Sequence, residues 1–256
     1  MADFLFSSER WHPLLWLDAL RTQIPTACVL CNGRTQGGGL CVGCTDDWHY
    51  RYKQVRWRCQ RCKVAQLGGV AREVSECQSC LDAPFALQQL AVAFDYMMPL
   101  DSLIWRFKER HQLRLAPVLA RMMLLSILRD GWALPPDTVV AYIPSRQHAL
   151  NKRGFNPAAE LARYVARPLG LTLAYGVFGF QDHKESNAQK HRTQQQRRHY
   201  AQHAFVWQSA DIPSTLLLVD DVFTTGSTLH GAAQCALQQG VQQVYGVALA
   251  RVPWIM

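Results

Sequence analysis

Two adjacent carboxylates, Asp220 and Asp221, stand between the apolar run Leu216-Leu217-Leu218-Val219 and the segment Val222-Phe223-Thr224-Thr225-Gly226-Ser227-Thr228. The apolar run fits a short buried parallel strand that closes at the acidic pair, and the periodic stretch 229–237 reads as the helix after it. A phosphate fits between the two elements. Backbone N–H groups of Thr225, Gly226, Ser227 and Thr228 at a helix N-terminus are unpaired donors, and the helix dipole favours an anion there. Gly226 permits close approach, and the hydroxyls of Thr224, Thr225, Ser227 and Thr228 add donors. Asp220 and Asp221 are acceptor-only groups that suit the two O–H donors of a vicinal diol. A carboxylate can also hold Mg²⁺ bridging a sugar and a pyrophosphate. The chemistry spelled by this order is that of a ribose-phosphate site. The competing reading is a strand, a turn and a Ser/Thr helix cap, with one Asp solvated and the other salt-bridged.

A second set of chemically capable residues lies near the other end of the chain: Cys28 and Cys31, Cys41 and Cys44, Cys59 and Cys62, Cys77 and Cys80, each pair spaced C-x-x-C. One pair presents two thiolates from a tight knuckle, and two pairs fill a tetrahedral structural site, so eight ligands imply two Zn²⁺. Disulfides or a redox pair are the alternatives. Disulfides need an oxidising compartment, whereas the N-terminus carries an early acid and no long apolar core, so a cytoplasmic zinc module is expected. No segment is apolar for long enough to span a bilayer. Spacing does not choose between sequential pairing (28/31 with 41/44, 59/62 with 77/80) and an interleaved arrangement; sequential ribbons are the expectation. Cys235 falls outside the set and reads as a buried small apolar residue.

A third group, Lys152-Arg153-Gly154, ends a loop that follows the strand expected over 139–143. Arg153 can pair bidentately with a pyrophosphate, and Gly154 lets the backbone approach it. Alone, the group reads better as a helix-start loop with a solvated Lys-Arg; together with Asp220 and Asp221 it becomes specific. Between the cysteine pairs, residues 48–58 interleave rings and cations. Arg51, Lys53, Arg56, Trp57 and Arg58 are the candidates for single-stranded DNA, with Trp48, Tyr52 and Trp57 as stacking rings and the cations tracking phosphates. The alternative is that these rings pack on the metal knuckles and the cations form a solvated face.

The elements that must position these groups follow from periodicity. Strands are expected over 90–96, 139–143 and 244–251, and helices over 11–24, 100–110 and 113–128. Alternating strands and helices imply a parallel sheet whose ligands gather at the carboxyl ends of the strands. The expected organisation is an N-terminal helical segment 1–27, a zinc module 28–84 and an α/β domain 85–256. At 256 residues and 49% hydrophobic, the chain can bury one α/β core beside a metal-stapled module. The formal charge of +8 falls to about +4 once eight thiolates and two Zn²⁺ are counted.

The block 220–228 resembles the phosphoribosyl diphosphate (PRPP) loop of type I phosphoribosyltransferases. That resemblance implies ribose contacts at Asp220 and Asp221 and a 5′-phosphate held by residues 224–228. Four cysteine pairs, then Arg153-Gly154-Phe155-Asn156, then the block from Val219 to Thr228, resemble the ComF family of competence proteins, including its GntX-like members. The resemblance implies an α/β fold: a type I phosphoribosyltransferase-like parallel sheet with a small N-terminal Cys-rich zinc module. The stretch 181–203, rich in Gln, His, Arg and Lys, is expected to be a flap closing over the sugar diphosphate. There the family's Gln is matched by Gln189 and its basic pair by Arg197 and Arg198, with Tyr200 in place of an Asn. Pro157 and Ala149 also depart from the family pattern, both on the pyrophosphate side. No general base is evident, and His148 and His183 fall in loops.

Two functions compete at this stage. One is a DNA-handling protein of natural transformation that holds single-stranded DNA and binds PRPP, with Mg²⁺, or a related sugar phosphate; the family resemblance suggests a DNA-uptake helicase or a recombination protein as partner. The other is an active PRPP-dependent phosphoribosyltransferase with an unknown acceptor.

Overall fold

Buried apolar runs separated by amphipathic helices build a five-stranded sheet in which every pairing is parallel, in the spatial order Gln89–Asp95, Gln243–Arg251, Thr215–Phe223, Val139–Tyr142, Thr172–Leu173. The computed structural model describes residues 23–55, 57–65, 75–82, 85–181 and 204–253. The N-terminal helix expected over 11–24, except its last two residues, lies outside them. So do Arg56 and the expected flap beyond Gln181, with His183, Gln189, Arg197, Arg198 and Tyr200.

The strands are β3 (Gln89–Asp95), β4 (Val139–Tyr142), β5 (Thr172–Leu173), β8 (Thr215–Phe223) and β9 (Gln243–Arg251). β8 lies between β4 and β9, and its residues from Thr215 to Asp220 are all buried. That explains a run apolar without alternation. It does not stop at Val219 as expected. The register with β9 continues through Asp220 opposite Ala248 to Phe223 opposite Arg251, so the acidic pair sits inside the strand's last turn of pairing. β6 (Phe178–Phe180) and β7 (Phe205–Trp207) form a separate antiparallel pair.

The crossover helices start where the sequence provides a start. After α3 (Asp101–Lys108), a 3₁₀ turn (Leu113–Leu115) precedes α4 (Ala116–Arg129), because Pro117 has no N–H to continue an earlier helix. α5 (Gln147–Arg153) ends on Gly154 with φ 73°. α6 (Pro157–Leu169) is capped by Asn156, whose Oδ1 accepts from the N–H groups of Ala158 at 3.0 Å and Ala159 at 3.5 Å. Its Nδ2 donates to the Ile143 carbonyl at 2.9 Å, tying α6 to the end of β4. Pro157 takes the first helical position, where a missing N–H costs nothing. α7 (Ser227–Gln239) follows β8. No helix among the described residues is long and apolar enough to cross a membrane.

The chain divides into two compact units, Met1–His49 and Tyr50–Met256. The first contains the antiparallel pair β1 (Pro25–Ala27) and β2 (Arg34–Gln36) and the start of α1 (Val42–Lys53). The second contains the sheet, its helices, the short α2 (Gln78–Asp82) and the cysteines from Cys59 onward.

Inside the second unit a charged network fixes the Cys59 knuckle to the sheet. Arg58 donates to both carboxylate oxygens of Asp95 at 2.9 and 2.7 Å and to the Lys63 carbonyl at 2.8 Å. Lys63 pairs with Asp130 at 2.9 Å, and Arg129 donates to the Val92 carbonyl at 2.8 Å. The guanidiniums of Arg58 and Arg129 lie 4.0 and 3.5 Å from the centre of the Tyr52 ring. The Arg58–Asp95 pair is only 12% and 13% exposed, so removing one partner leaves a desolvated charge. Arg58→Ala is expected to lower unfolding free energy by about 3–5 kcal/mol in urea titrations of the zinc-loaded protein. A loss below about 1 kcal/mol would show that the pair behaves as an ordinary surface bridge.

Candidate sugar-phosphate site and cysteine centres

The acidic pair occupies the carboxyl end of β8, and the two residues have different surroundings. Asp220 is 8% exposed, and its Oδ1 accepts from the Asp221 N–H at 2.8 Å. Burial, and next the neighbouring Asp221 charge, push its carboxyl up to about 7, against the pull of the Asp221 N–H and the Lys108 ammonium. Asp221 is half-buried and pairs with Lys108 Nζ at 2.7 Å. Lys108 ends α3, and its local sequence carries no mark of this role; only the strand order brings it here.

The loop after β8 turns at Gly226, which is buried with φ 78°. A Cβ there would collide with the rings of Phe223 and Phe85. α7 begins at Ser227, so Thr225 and Gly226 belong to the loop and not to the helix. The Thr225 and Ser227 hydroxyls share a hydrogen bond, and the Ser227 N–H reaches Thr225 Oγ1 at 3.4 Å. Thr224 and Thr228 are exposed, Thr225 and Ser227 half-buried. Hydroxyls and helix N-terminus are thus gathered around one turn.

Lys152, Arg153 and Gly154 follow β4, whose continuation at Ile143 donates to the Val219 carbonyl at 3.0 Å. Lys152 and Arg153 both pair with Glu109, at 3.0 and 3.4 Å. The Lys152 ammonium holds the Glu109 carboxyl below its ordinary range. Consecutive residues of one turn therefore engage both halves of the site: Lys108 pairs with Asp221 of β8, Glu109 with the cations of α5.

Two more residues hold the loop after β8, and neither was anticipated from sequence. Arg251, 1% exposed at the end of β9, donates to the carbonyls of Cys62, Phe223, Thr224 and Val252. Phe85 packs on Phe223 with ring centroids 5.8 Å apart and meets His230 edge-on at 5.7 Å.

The cysteines assemble sequentially: Cys28, Cys31, Cys41 and Cys44 in one group, Cys59, Cys62, Cys77 and Cys80 in the other, with all sulfurs of a group within 4.8 Å of one another. Sulfur separations of 3.6 Å (Cys31–Cys41) and 3.7 Å (Cys62–Cys77) are far too long for a disulfide. They agree with the edge of about 3.8 Å expected of a tetrahedron of sulfurs with Zn–S near 2.3 Å. Backbone N–H groups aim at the sulfurs: Leu30 and Cys41 at Cys28 Sγ (3.5 and 3.3 Å), Cys62 and Cys77 at Cys59 Sγ (3.5 and 3.3 Å). Hydrogen bonds from Cys62, Cys77 and Cys80 hold the Cys59 thiol well below its usual range, while the same cluster pushes Cys80 above it. Four thiolates this close repel unless a cation sits among them, the more so in the second group, where all four are buried, so the donor sets fit two Zn²⁺.

The ring-and-cation segment is divided among several environments. Arg51 and Lys53 are exposed in the last turn of α1. Arg58 is committed to Asp95, and Trp57 packs partly buried against the core. Trp48 is 2% exposed, and the Tyr52 ring is covered by two guanidiniums. Of the three rings expected to stack bases, these two are therefore covered.

Metal analysis is expected to find close to two zinc atoms per chain with the eight paired cysteines reduced, and chelation to unfold both cysteine centres, because metal binding supplies most of the folding free energy of such modules. Zinc-free, disulfide-linked protein would refute it.

No family model matches the chain. It is 31% identical over 236 residues to the DNA utilization protein YhgH of Salmonella typhi, covering 89% of this chain and 98% of that protein. It is 29% identical over 234 residues to the protein of the same name in Salmonella typhimurium, with the same coverage. Competence protein F of Haemophilus influenzae is 27% identical over 234 residues, 88% of this chain and 96% of that protein. With similarity over nearly nine tenths of its length, the chain belongs to the ComF family of competence proteins.

Proposed function

We propose that this protein handles single-stranded DNA during natural transformation, in the cytoplasm, and binds PRPP with Mg²⁺, or a related sugar phosphate, at the carboxyl edge of its sheet. The observation that carries the ligand reading is the convergence at one edge of Asp220 and Asp221, the donor loop 224–228 and the basic group Lys152-Arg153-Gly154. The acids face the ribose diol and the metal ion, the loop takes the 5′-phosphate, and Lys152 and Arg153 take the diphosphate after releasing Glu109. The names of the relatives support the DNA role, and the exposed cations Arg51 and Lys53 supply phosphate contacts. A DNA-uptake helicase or a recombination protein is the partner this role calls for. Transfer of the phosphoribosyl group to an acceptor is the competing reading, and turnover in the binding assay below would establish it.

The pH dependence has a definite sign. Asp220, held near 7 in the free protein, must be ionised to accept from the diol and hold Mg²⁺. Calorimetry with PRPP and Mg²⁺ is therefore expected to show affinity rising up to about tenfold per pH unit towards neutrality and levelling above it. In the free protein, folding stability falls as pH rises from about 4 to 7, because the unfolded Asp220 ionises first. Asp220→Asn removes that pH dependence and costs about 1.5–3 kcal/mol of PRPP affinity. Equal affinity and an equal pH profile in both proteins would refute the assignment.

For DNA, fluorescence anisotropy with labelled oligonucleotides is expected to show binding that weakens with salt. Arg51→Ala and Lys53→Ala should each flatten the slope of log affinity against log salt by about 0.7. Absence of binding at low salt would overturn the DNA role.

A further inference from the structure

We propose that Arg251 is a positioning residue that couples the second cysteine centre to the phosphate loop, so that metal held by Cys59, Cys62, Cys77 and Cys80 governs sugar-phosphate binding. The inference rests on the ligand reading above and adds a regulator to that site.

Arg251 is almost completely buried, and its four acceptors are uncharged backbone carbonyls. A buried guanidinium is costly unless negative charge lies close. Asp95, paired with Arg251 in the β3–β9 register, already engages Arg58 through both oxygens. The cysteine centre adjoins the guanidinium at Cys62, whose carbonyl accepts from Nε at 3.1 Å, and negative charge on Cys62 and Cys77, like that of Asp95, favours the charged arginine against the cost of burial. Zn²⁺ among four thiolates leaves a net charge of about −2 there, a counter-ion for Arg251.

The other end of the guanidinium sets the direction of the loop. Nη1 donates to the carbonyls of Phe223 and Thr224. A trans peptide points its C=O and the following N–H in opposite directions. Pulling these two carbonyls towards Arg251 therefore turns the N–H groups of Thr224 and Thr225 the other way, as a phosphate cradle requires. The same knuckle reaches the loop by a second route. Arg61, between Cys59 and Cys62, donates to the Phe85 carbonyl at 3.4 Å, and the Phe85 ring fills the space beside Gly226. The Ala86 N–H donates to His230 Nδ1 at 3.0 Å, fixing this segment to the first turn of α7. Loss of the second centre releases both supports.

Coupling of this kind is reciprocal: if metal in the second centre tightens PRPP binding, PRPP must retain that metal by the same factor. The test uses full-length, zinc-loaded protein carrying Cys44→Ser, so that the first centre is disabled and zinc release reports the second. Release to a chromogenic chelator is followed with and without PRPP and Mg²⁺. Retention improved about tenfold or more by PRPP is expected, and loss of that effect in Arg251→Met, with partial recovery in Arg251→Lys. Arg251→Met is also expected to keep its zinc in the absence of ligand, which a merely misfolded variant would not. Should Arg251→Met lose zinc, the retention measured before that substitution decides the matter unaided. Unchanged zinc release while calorimetry shows PRPP bound would overturn the coupling and leave the ligand reading standing. Failure of the zinc-loaded wild type to bind PRPP at all would overturn both.

Discussion

The ladder between β8 and β9 is the interaction on which the site depends. It pairs Thr215 with Gln243 at one end and Phe223 with Arg251 at the other, and residues of β8 from Thr215 to Asp220 are shielded from water. A central parallel strand cannot place charge in its middle without a large desolvation cost, so its chemistry moves to the carboxyl end, where helix N-termini also gather. Asp220 sits at that limit. It ends the strand's continuous buried run, and its carboxyl is pushed up to about 7 by burial and by Asp221. The Lys108 ammonium, 2.7 Å from Asp221, pulls the other way and limits the rise.

Local sequence carried much of this. The strand of 216–219, the helix after it, the glycine at the turn and the four cysteine pairs all announce themselves through periodicity or spacing, which are local properties. The places where expectation and structure part company depend on partners far away in sequence. β8 runs four residues beyond Val219 because β9 continues to pair with it, and no pattern within 216–223 encodes the length of its neighbour. Trp48 and Tyr52 look like exposed stacking rings in a sequence of cations; burial and two guanidiniums cover them instead. Their composition was legible, but the partner of each cation was not. Lys108, Phe85 and Arg251 escaped notice for the same reason, since each acts on a loop more than a hundred or some twenty-five residues away along the chain.

Glu109 and Lys108 also change how ligand affinity should be understood. Without ligand, Asp221 of β8 and the cations of α5 are not free charges awaiting partners; they pair with one ammonium and one carboxylate on adjacent residues. A sugar diphosphate with Mg²⁺ carries the same arrangement of signs, the cation for the acids and the anion for the bases. If such a ligand is bound as proposed, binding would exchange one set of pairs for another, and the electrostatic gain would be the difference between them. The exposed Lys152–Glu109 pair, whose lysine side chain is 71% exposed, contributes little to that difference. The more enclosed Lys108–Asp221 pair, at 18% and 16%, contributes more, because its charges must find an equally well-placed partner or suffer desolvation alone. On the ligand reading proposed above, selectivity for a ligand bearing both a metal ion and a diphosphate would follow from this difference. A phosphate by itself would replace Glu109 but leave Asp221 without a cation should Lys108 move, whereas a magnesium diphosphate would replace both partners.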